Sequence, residues 1–115
     1  MPKGEMSSQI WGDDAEPDGR ELAPRALDVA NFLKALGHDG RLMILCHLLS
    51  GPKSVTELEN LLDSRQAVVS QQLARLRYEG MVSARREGQA IFYSILDPKV
   101  PDVLHLLTRL FGKPA

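Results

Sequence analysis

The hydrophobic period of this chain changes at Gly80, and that change limits the folds that the sequence can adopt. Before Gly80, in residues 64–80, apolar residues recur every three or four positions, which predicts an amphipathic helix. After Gly80, in residues 82–95, apolar residues alternate with polar ones, which predicts two strands. A tight turn at Glu87-Gly88 joins the two strands into a hairpin.

Four helices are predicted before the hairpin and one after it. The first begins near Glu21, and the glycine-containing segment 37–40 separates it from the second. The second helix ends at the breaker segment 50–53. The fifth follows the prolines of residues 98–101 and runs from about Asp102 to Phe111. The predicted apolar stripes are Leu22, Ala26, Val29, Leu33 and Leu36 in the first helix, Leu42, Leu45, Cys46 and Leu49 in the second, and Val103, Leu106, Leu107 and Leu110 in the fifth.

The third and fourth helices have recognisable starts. Ser54 and Glu57 have the spacing of a capping box, in which each residue satisfies a free amide of the other. Ser64 is the predicted cap of the fourth helix, and Gly80 is predicted to end that helix in a left-handed conformation. The predicted inward residues are Val55, Leu58, Leu61 and Leu62 in the third helix, and Val69, Leu73 and Leu76 in the fourth.

This order of elements predicts a mainly α fold with a small β-hairpin. Because only a few residues join the third and fourth helices, they form a helix-turn-helix, and the hairpin that follows is a wing. The winged helix-turn-helix is predicted to occupy residues 21–113. Residues 1–20 are polar and acidic, which predicts a flexible N-terminal tail with Ile10 and Trp11 as a candidate docking point.

The charge of the chain is unevenly distributed. The formal net charge is −1, yet residues 65–92 carry five arginines against Glu79 and Glu87. Residues 1–21 carry six acidic side chains against Lys3 and Arg20. A phosphate backbone responds to local charge rather than to the total, so the second half of the chain has the charge expected of a nucleic-acid surface.

The polar face of the fourth helix is the strongest candidate binding site. In a helix-turn-helix the second helix enters the major groove of DNA, where glutamine and serine side chains can hydrogen-bond to base edges. Arginines contact mainly phosphates, which position the protein. The alternative is a solvated face without a partner. The predicted base contacts are Gln66, Ser70 and Gln71; the predicted backbone or minor-groove contacts are Arg65, Arg75 and Arg77 on the helix, with Arg85, Arg86 and Gln89 on the wing.

The sequence from residue 22 to residue 111 resembles the ArsR/SmtB family of winged helix-turn-helix transcriptional repressors. The resemblance implies a homodimer that binds an inverted repeat in double-stranded DNA and leaves it when an inducer arrives. The chain departs from the family at Gln72, where histidine is usual, but glutamine can make similar polar contacts. The positions that match are Gly40-Arg41-Leu42, Glu57-Leu58, Gln66, Ser70, Leu73, Leu76, Arg77, Gly80, Val82, Arg86, Gly88, Tyr93 and Leu96.

The metal sites of that family cannot be completed by this sequence. One site needs a Cys-x-Cys pair at the start of the third helix, where this chain has Ser54, Val55 and Thr56. Another needs four ligands from two copies of the last helix, where this chain offers only Asp102 and His105. We therefore expect no metal and no other cofactor.

The single cysteine is the candidate sensing residue. The segment around Cys46 resembles the redox- and sulfur-sensing branch of the family, whose members pair this cysteine with a second one near the end of the last helix. Gly112 stands in that region here, so an intrachain sulfur bridge cannot form. Two interpretations stay open, namely reaction with a sulfur or oxidant species, or a small hydrophobe in the Leu42-Leu45-Leu49 stripe.

The remaining signals limit location and assembly. No apolar run is long enough for a membrane, and the first residues lack a signal-peptide core, which predicts a cytoplasmic protein. No catalytic triad, phosphate loop or carboxylate pair suggests an enzyme. The apolar stripes of the first and last helices are too much for a small core, which favours a homodimer paired through them. The alternatives are a winged-helix protein-interaction module that does not bind DNA and a repressor without an inducer.

Overall fold

The computed structural model describes residues 19–112, and within them the predicted helices and hairpin follow one another in the predicted order, with a 3-10 turn and a short strand added. A fold that is mainly helical with a small antiparallel hairpin is therefore confirmed. The predicted acidic tail, with Ile10 and Trp11, lies almost wholly outside the described residues. The elements are a short helix Gly19–Leu22, a 3-10 turn Ala23–Arg25, α1 Ala26–Leu36, α2 Asp39–Leu48, β1 Lys53–Ser54, α3 Val55–Leu62, α4 Gln66–Tyr78, β2 Val82–Glu87, β3 Ala90–Ile95 and α5 Lys99–Phe111.

The chain divides into two compact units within α1, at the step from Asn31 to Phe32. In the first unit the predicted continuous helix is interrupted by the 3-10 turn that contains Pro24. Proline has no amide hydrogen and clashes with the preceding turn of a helix, so it is expected to break the helix here. In this unit Leu27 is 72% exposed.

The second unit contains the hydrophobic core, to which α2, the helix-turn-helix, the sheet and α5 all contribute. All of its fully buried side chains within the described residues are apolar. These residues are Ala35, Leu36, Ile44, Leu45, Leu48, Leu58, Val69, Leu73, Leu76, Met81, Val82, Val100 and Leu104.

Helix α2 begins at a histidine cap and buries a different face from the predicted one. His38 is the N-cap residue, and its Nδ1 accepts a hydrogen bond from the amide of Gly40 at 3.0 Å. The buried residues of α2 are Ile44, Leu45 and Leu48. Of the predicted face, Leu45 is buried, Leu42 and Cys46 are half-buried and Leu49 is exposed. The helix is thus rotated so that its Leu42-Cys46 edge lies beside the core.

Helix α3 has the predicted capping box. The Ser54 hydroxyl accepts from the Glu57 amide at 3.1 Å, and the Glu57 carboxylate accepts from the Ser54 amide at 2.8 Å. Leu58 is the one fully buried residue of α3, whereas Leu61 is 49% exposed, so the predicted inward position of Leu61 is wrong. The helix ends at Asp63 in a left-handed conformation.

The start of α4 also differs from the prediction. Arg65, not Ser64, is the N-cap residue, and no side chain caps this helix. The Ser64 hydroxyl instead donates to the Leu62 carbonyl at 3.3 Å. The chain leaves α3 through the left-handed Asp63, and the shift of the cap by one residue places Ser64 in the turn.

The end of α4 confirms the predicted left-handed glycine. Gly80 has φ of 78° and donates its amide to the Arg77 carbonyl at 3.0 Å. The Met81 amide donates to the Leu76 carbonyl at 3.0 Å, and both side chains are buried. This pair of bonds is a Schellman motif with its apolar contact, and it turns the chain directly from the helix into the first strand of the wing.

The sheet has a third strand that the sequence analysis missed. Strands β2 and β3 form the predicted hairpin around a Gly88-Gln89 loop, one residue later than the predicted turn, with φ of 64° at Gly88. The two-residue strand β1 pairs with β3, Lys53 opposite Tyr93 and Ser54 opposite Phe92. Because β1 directly precedes α3, its pairing with β3 in the strand order β1-β3-β2 joins the wing to the start of α3.

Helix α5 begins at Lys99, three residues before the predicted start. Val100 and Leu104 are its fully buried residues. The predicted stripe is less buried, with Val103, Leu106 and Leu107 half-buried and Leu110 exposed. At the start of α5 the Lys99 ammonium lies 5.9 Å from the centre of the Phe32 ring. Within the described residues, no helix is long and apolar enough to cross a bilayer.

Candidate nucleic-acid interface

The predicted base-contacting residues have free polar groups. Gln66 is the first residue of α4 and is exposed, as is Gln71, whereas Ser70 is half-buried. In the described part of the chain the side chains of these three residues make no hydrogen bond. The buried side chains Val69, Leu73 and Leu76 hold α4 in the core. The hydrogen-bond donors and acceptors on the exposed side of α4 therefore remain available to a partner.

The five arginines of the basic segment fall into two groups. Arg75 forms an ion pair with Glu79 at 3.0 Å, and Arg85 forms one with Glu87 at 2.8 Å. For the other three, no carboxylate of the described residues lies within ion-pair distance. The unpaired guanidiniums are those of Arg65, Arg77 and Arg86.

The two wing arginines lie on opposite faces of the hairpin. Arg85 is opposite Phe92 in the ladder, and Arg86 is opposite Ile91. Because successive residues of a strand point to opposite faces, the two side chains leave the hairpin on opposite faces.

The wing tip lies beside the start of α3. Gln89 is exposed in the hairpin loop. A shallow hollow separates the tip from the first residues of α3, which follows from the pairing of β1 with β3. The hollow is lined by Ser54, Val55, Thr56, Gln89, Ala90 and Ile91.

Arg41 connects three helices and was not predicted to have a role. Its Nε donates to the Ala35 carbonyl at 2.7 Å and its Nη2 to the Lys34 carbonyl at 3.1 Å, both in the last turn of α1. Its Nη1 donates to the Gln72 amide oxygen at 3.1 Å. Gln72 is therefore half-buried and directed toward α2, not toward the exposed side of α4.

Two apolar residues on the exposed side of α4 were also missed. Ala67 and Val68 are both exposed, and Val68 is 47% exposed. The signal was present in the sequence, because a period of 3.6 residues places position 68 in line with positions 71 and 75.

Cys46 lies in an apolar groove between α2 and α5. The cysteine is half-buried and has a free thiol, and burial raises the pKa of that thiol. A raised pKa lowers the fraction of thiolate, which is the reactive form. The groove is lined by Leu42, Met43, Cys46, Leu104, Leu107, Thr108, Phe111 and Gly112.

Asp102 and His105, the incomplete metal pair, are both exposed on α5. In residues 19–112, no three His, Cys, Asp or Glu side chains come together in a way that could hold a metal ion.

The fold and the free polar face of α4 define a winged helix-turn-helix protein, and comparisons with known proteins agree. The model of the family described as "Bacterial regulatory protein, arsR family" matches residues 38–84. A biofilm growth-associated repressor of Agrobacterium fabrum is 46% identical over 93 residues, which are 81% of this chain and 80% of the relative. The transcriptional activator HlyU of Vibrio cholerae is 38% identical over 80% of this chain and 85% of its own.

Solved structures give the same result. The transcriptional repressor BigR of Xylella fastidiosa superposes with a TM-score of 0.81 at 38% identity, covering 85% of this chain and all of its own. Reduced HlyU of Vibrio cholerae superposes with a TM-score of 0.76 at 37% identity, over 82% of this chain and 99% of its own. The chain belongs to the ArsR family of winged-helix transcription regulators, a family of DNA-binding proteins and not of enzymes.

Proposed function

We propose that this chain is a repressor that binds an operator in double-stranded DNA as a homodimer. The observation that carries the proposal is the uncommitted polar face of α4, on which Gln66 and Gln71 are exposed and bond to nothing else in the described residues. Polar groups on a helix that is fixed by its other side suit direct reading of base edges. The similar proteins include a repressor and an activator, so repression rather than activation of transcription is part of the proposal.

The polar side chains of α4 take the base contacts in this proposal. The amide of Gln66 or Gln71 can bond to both N6 and N7 of an adenine, which makes these residues the main readers. Ser70 is half-buried, so it reaches only a base or phosphate close to the helix axis. Gln89, at the wing tip, contacts the flanking minor groove or backbone.

The arginines take the phosphate contacts. The unpaired Arg65, Arg77 and Arg86 lose nothing inside the protein when they bind a phosphate. Arg75 and Arg85 must exchange Glu79 and Glu87 for the phosphate. These exposed ion pairs are weak, because solvent screens them, and the exchange is therefore feasible but less favourable.

Exposed apolar surface on α1 and α5 supports the homodimer. In the first unit Leu27 is 72% exposed, and in the second unit Phe111 is 79% exposed at the end of α5. A two-fold axis would cover such surfaces in pairs. The same symmetry would set two copies of α4 about 34 Å apart, one turn of the duplex.

Selection of binding sites from a random duplex pool tests the proposal. We expect an inverted repeat with half-site centres about 10 base pairs apart or a multiple of that. Recovery of unrelated sequences, or of single half-sites by a monomer, would overturn it. A salt titration with random duplex DNA tests the alternative of a protein-interaction module, because DNA binding through several phosphates weakens steeply as salt increases.

The proposed inducer is a reactive sulfur or oxidant species that reaches Cys46 through the α2–α5 groove. With a polysulfide, the thiolate attacks one sulfur atom, the shortened polysulfide leaves, and the product is a persulfide. The raised pKa of the thiol makes this reaction slower at neutral pH than at a solvent-exposed thiol, and faster as the pH rises. That property favours the second candidate, a repressor without an inducer.

Release of DNA distinguishes the two candidates. The protein–operator complex is treated separately with polysulfide, peroxide and zinc, and Cys46 is followed by mass spectrometry. If Cys46 is the sensor, polysulfide or peroxide releases the DNA from the wild type and not from Cys46→Ser. If the modified protein keeps its operator, the repressor has no inducer at this residue.

A further inference from the structure

The valine at position 68 does not contribute to the stability of α4. It is 47% exposed, whereas its neighbour Val69 is 1% exposed and packs in the core. A valine in a helix is less favourable than alanine, and at an exposed position burial does not compensate for this. The isopropyl group therefore remains available for an external contact.

The surroundings of Val68 are those of a surface that approaches another molecule closely. Gln71 and Arg75 follow it at three and seven positions, so the three lie along one line of the helix. Ala67 and Ala74 lie together along one side of this line, and both are exposed. Side chains as small as these let the helix backbone come near a partner, and Val68 then projects beyond them.

Chemistry identifies the group that such a residue contacts in a major groove. Base edges there offer hydrogen-bonding atoms and one apolar group, the 5-methyl of thymine. An isopropyl group cannot form hydrogen bonds with the polar atoms of the bases, but it packs well against the thymine methyl group. We propose that Val68 is a specificity-determining residue that contacts a thymine methyl group in each half-site. This inference rests on the proposed function.

Thymine-to-deoxyuridine substitution tests the contact, since it removes the methyl group and leaves base pairing unchanged. Each thymine of one half-site of the selected operator is replaced in turn, and the dissociation constant is measured by fluorescence anisotropy. We expect one position at which the wild type binds about fourfold more weakly, since burial of one such carbon contributes about 0.8 kcal/mol.

The matched variants are Val68→Ala and Val68→Ile. Val68→Ala should bind the thymine and deoxyuridine operators with equal affinity, while Val68→Ile, which keeps a branched apolar side chain, should keep the wild-type discrimination. Alanine is a better helix former than valine, so the first variant is expected to fold, and a thermal melt by circular dichroism checks this.

The outcomes separate the two proposals. Sequence-specific binding without a methyl effect at any thymine overturns the role of Val68 and leaves the proposed function intact. A methyl effect that persists in Val68→Ala also overturns it. If the wild type selects no sequence at all, both proposals fail.

Discussion

The two helices of the helix-turn-helix use their polar groups in opposite ways. Helix α3 buries one side chain, Leu58, and closes its own start with the Ser54–Glu57 capping box. Helix α4 buries three side chains, has no side-chain cap, and leaves Gln66 and Gln71 without a partner in the described residues. This difference is the one that the proposed function requires, because α4 is held in the core by one face while these two glutamines on its other face have no partner among the described residues.

The largest expected effect tests the fixed face of α4. Leu73→Ala should lower the free energy of unfolding by about 2–5 kcal/mol, because it opens a cavity at a fully buried position. Leu61→Ala in α3 is the matched control, and since Leu61 is half-exposed it should cost much less. Urea denaturation of both variants measures the comparison. Equal losses would mean that the two helices are fixed to the same extent.

The next effect tests the uncommitted face. Gln66→Ala should weaken binding to the selected operator by about 1–3 kcal/mol and relax the preference at one base pair. Stability should not change, because the Gln66 side chain bonds to nothing in the described chain. Operator affinity and repeated site selection measure the two parts. An unchanged sequence preference would refute the assignment of Gln66 as a base reader.

A smaller effect tests the self-contained start of α3. Ser54→Ala removes the hydroxyl that accepts from the Glu57 amide, and it should lower stability by about 1 kcal/mol. Base preference should remain that of the wild type, because this hydroxyl is committed to its own helix. Thermal melting and site selection check the two statements. A changed base preference would show that α3 also takes part in reading.

The smallest effect separates the two arginine groups. Arg86→Ala should weaken binding to all sequences alike and reduce the salt slope by about one ion. Arg85→Ala should reduce the slope less, because Arg85 is already paired with Glu87 at 2.8 Å. Salt titrations of both variants with one duplex measure the difference. Identical slopes would indicate that the Arg85–Glu87 pair opens on DNA.

The elements with local signals were predictable from the sequence. The capping box at Ser54 and the left-handed Gly80 depend on residues only a few positions apart, and both were confirmed. Strand β1 has only two residues, and it forms by pairing with β3, about 40 positions later in the chain. No local sequence pattern predicts such a strand. The inward face of α2 likewise depends on where α5 packs, which a helical period cannot specify.

The sequence predicts which residues make up the candidate site, but not which of them bond to other parts of the protein. The polar residues of α4 could be selected because helical spacing separates them from Val69, Leu73 and Leu76. Glutamates at short spacing pair with Arg75 and Arg85, and local rules allow this without requiring it. The bond from Arg41 to Gln72 joins residues 31 positions apart, and only the packed structure could reveal it.

That bond has a consequence for the orientation of α4. One guanidinium holds two carbonyl groups of α1 and the amide oxygen of Gln72. If α4 turned about its own axis, Gln72 would move away from a cation whose other two contacts are rigid main chain. The Arg41 bonds therefore fix the rotation of α4 relative to the last turn of α1, and with it the direction in which Gln71 and Val68 face outward.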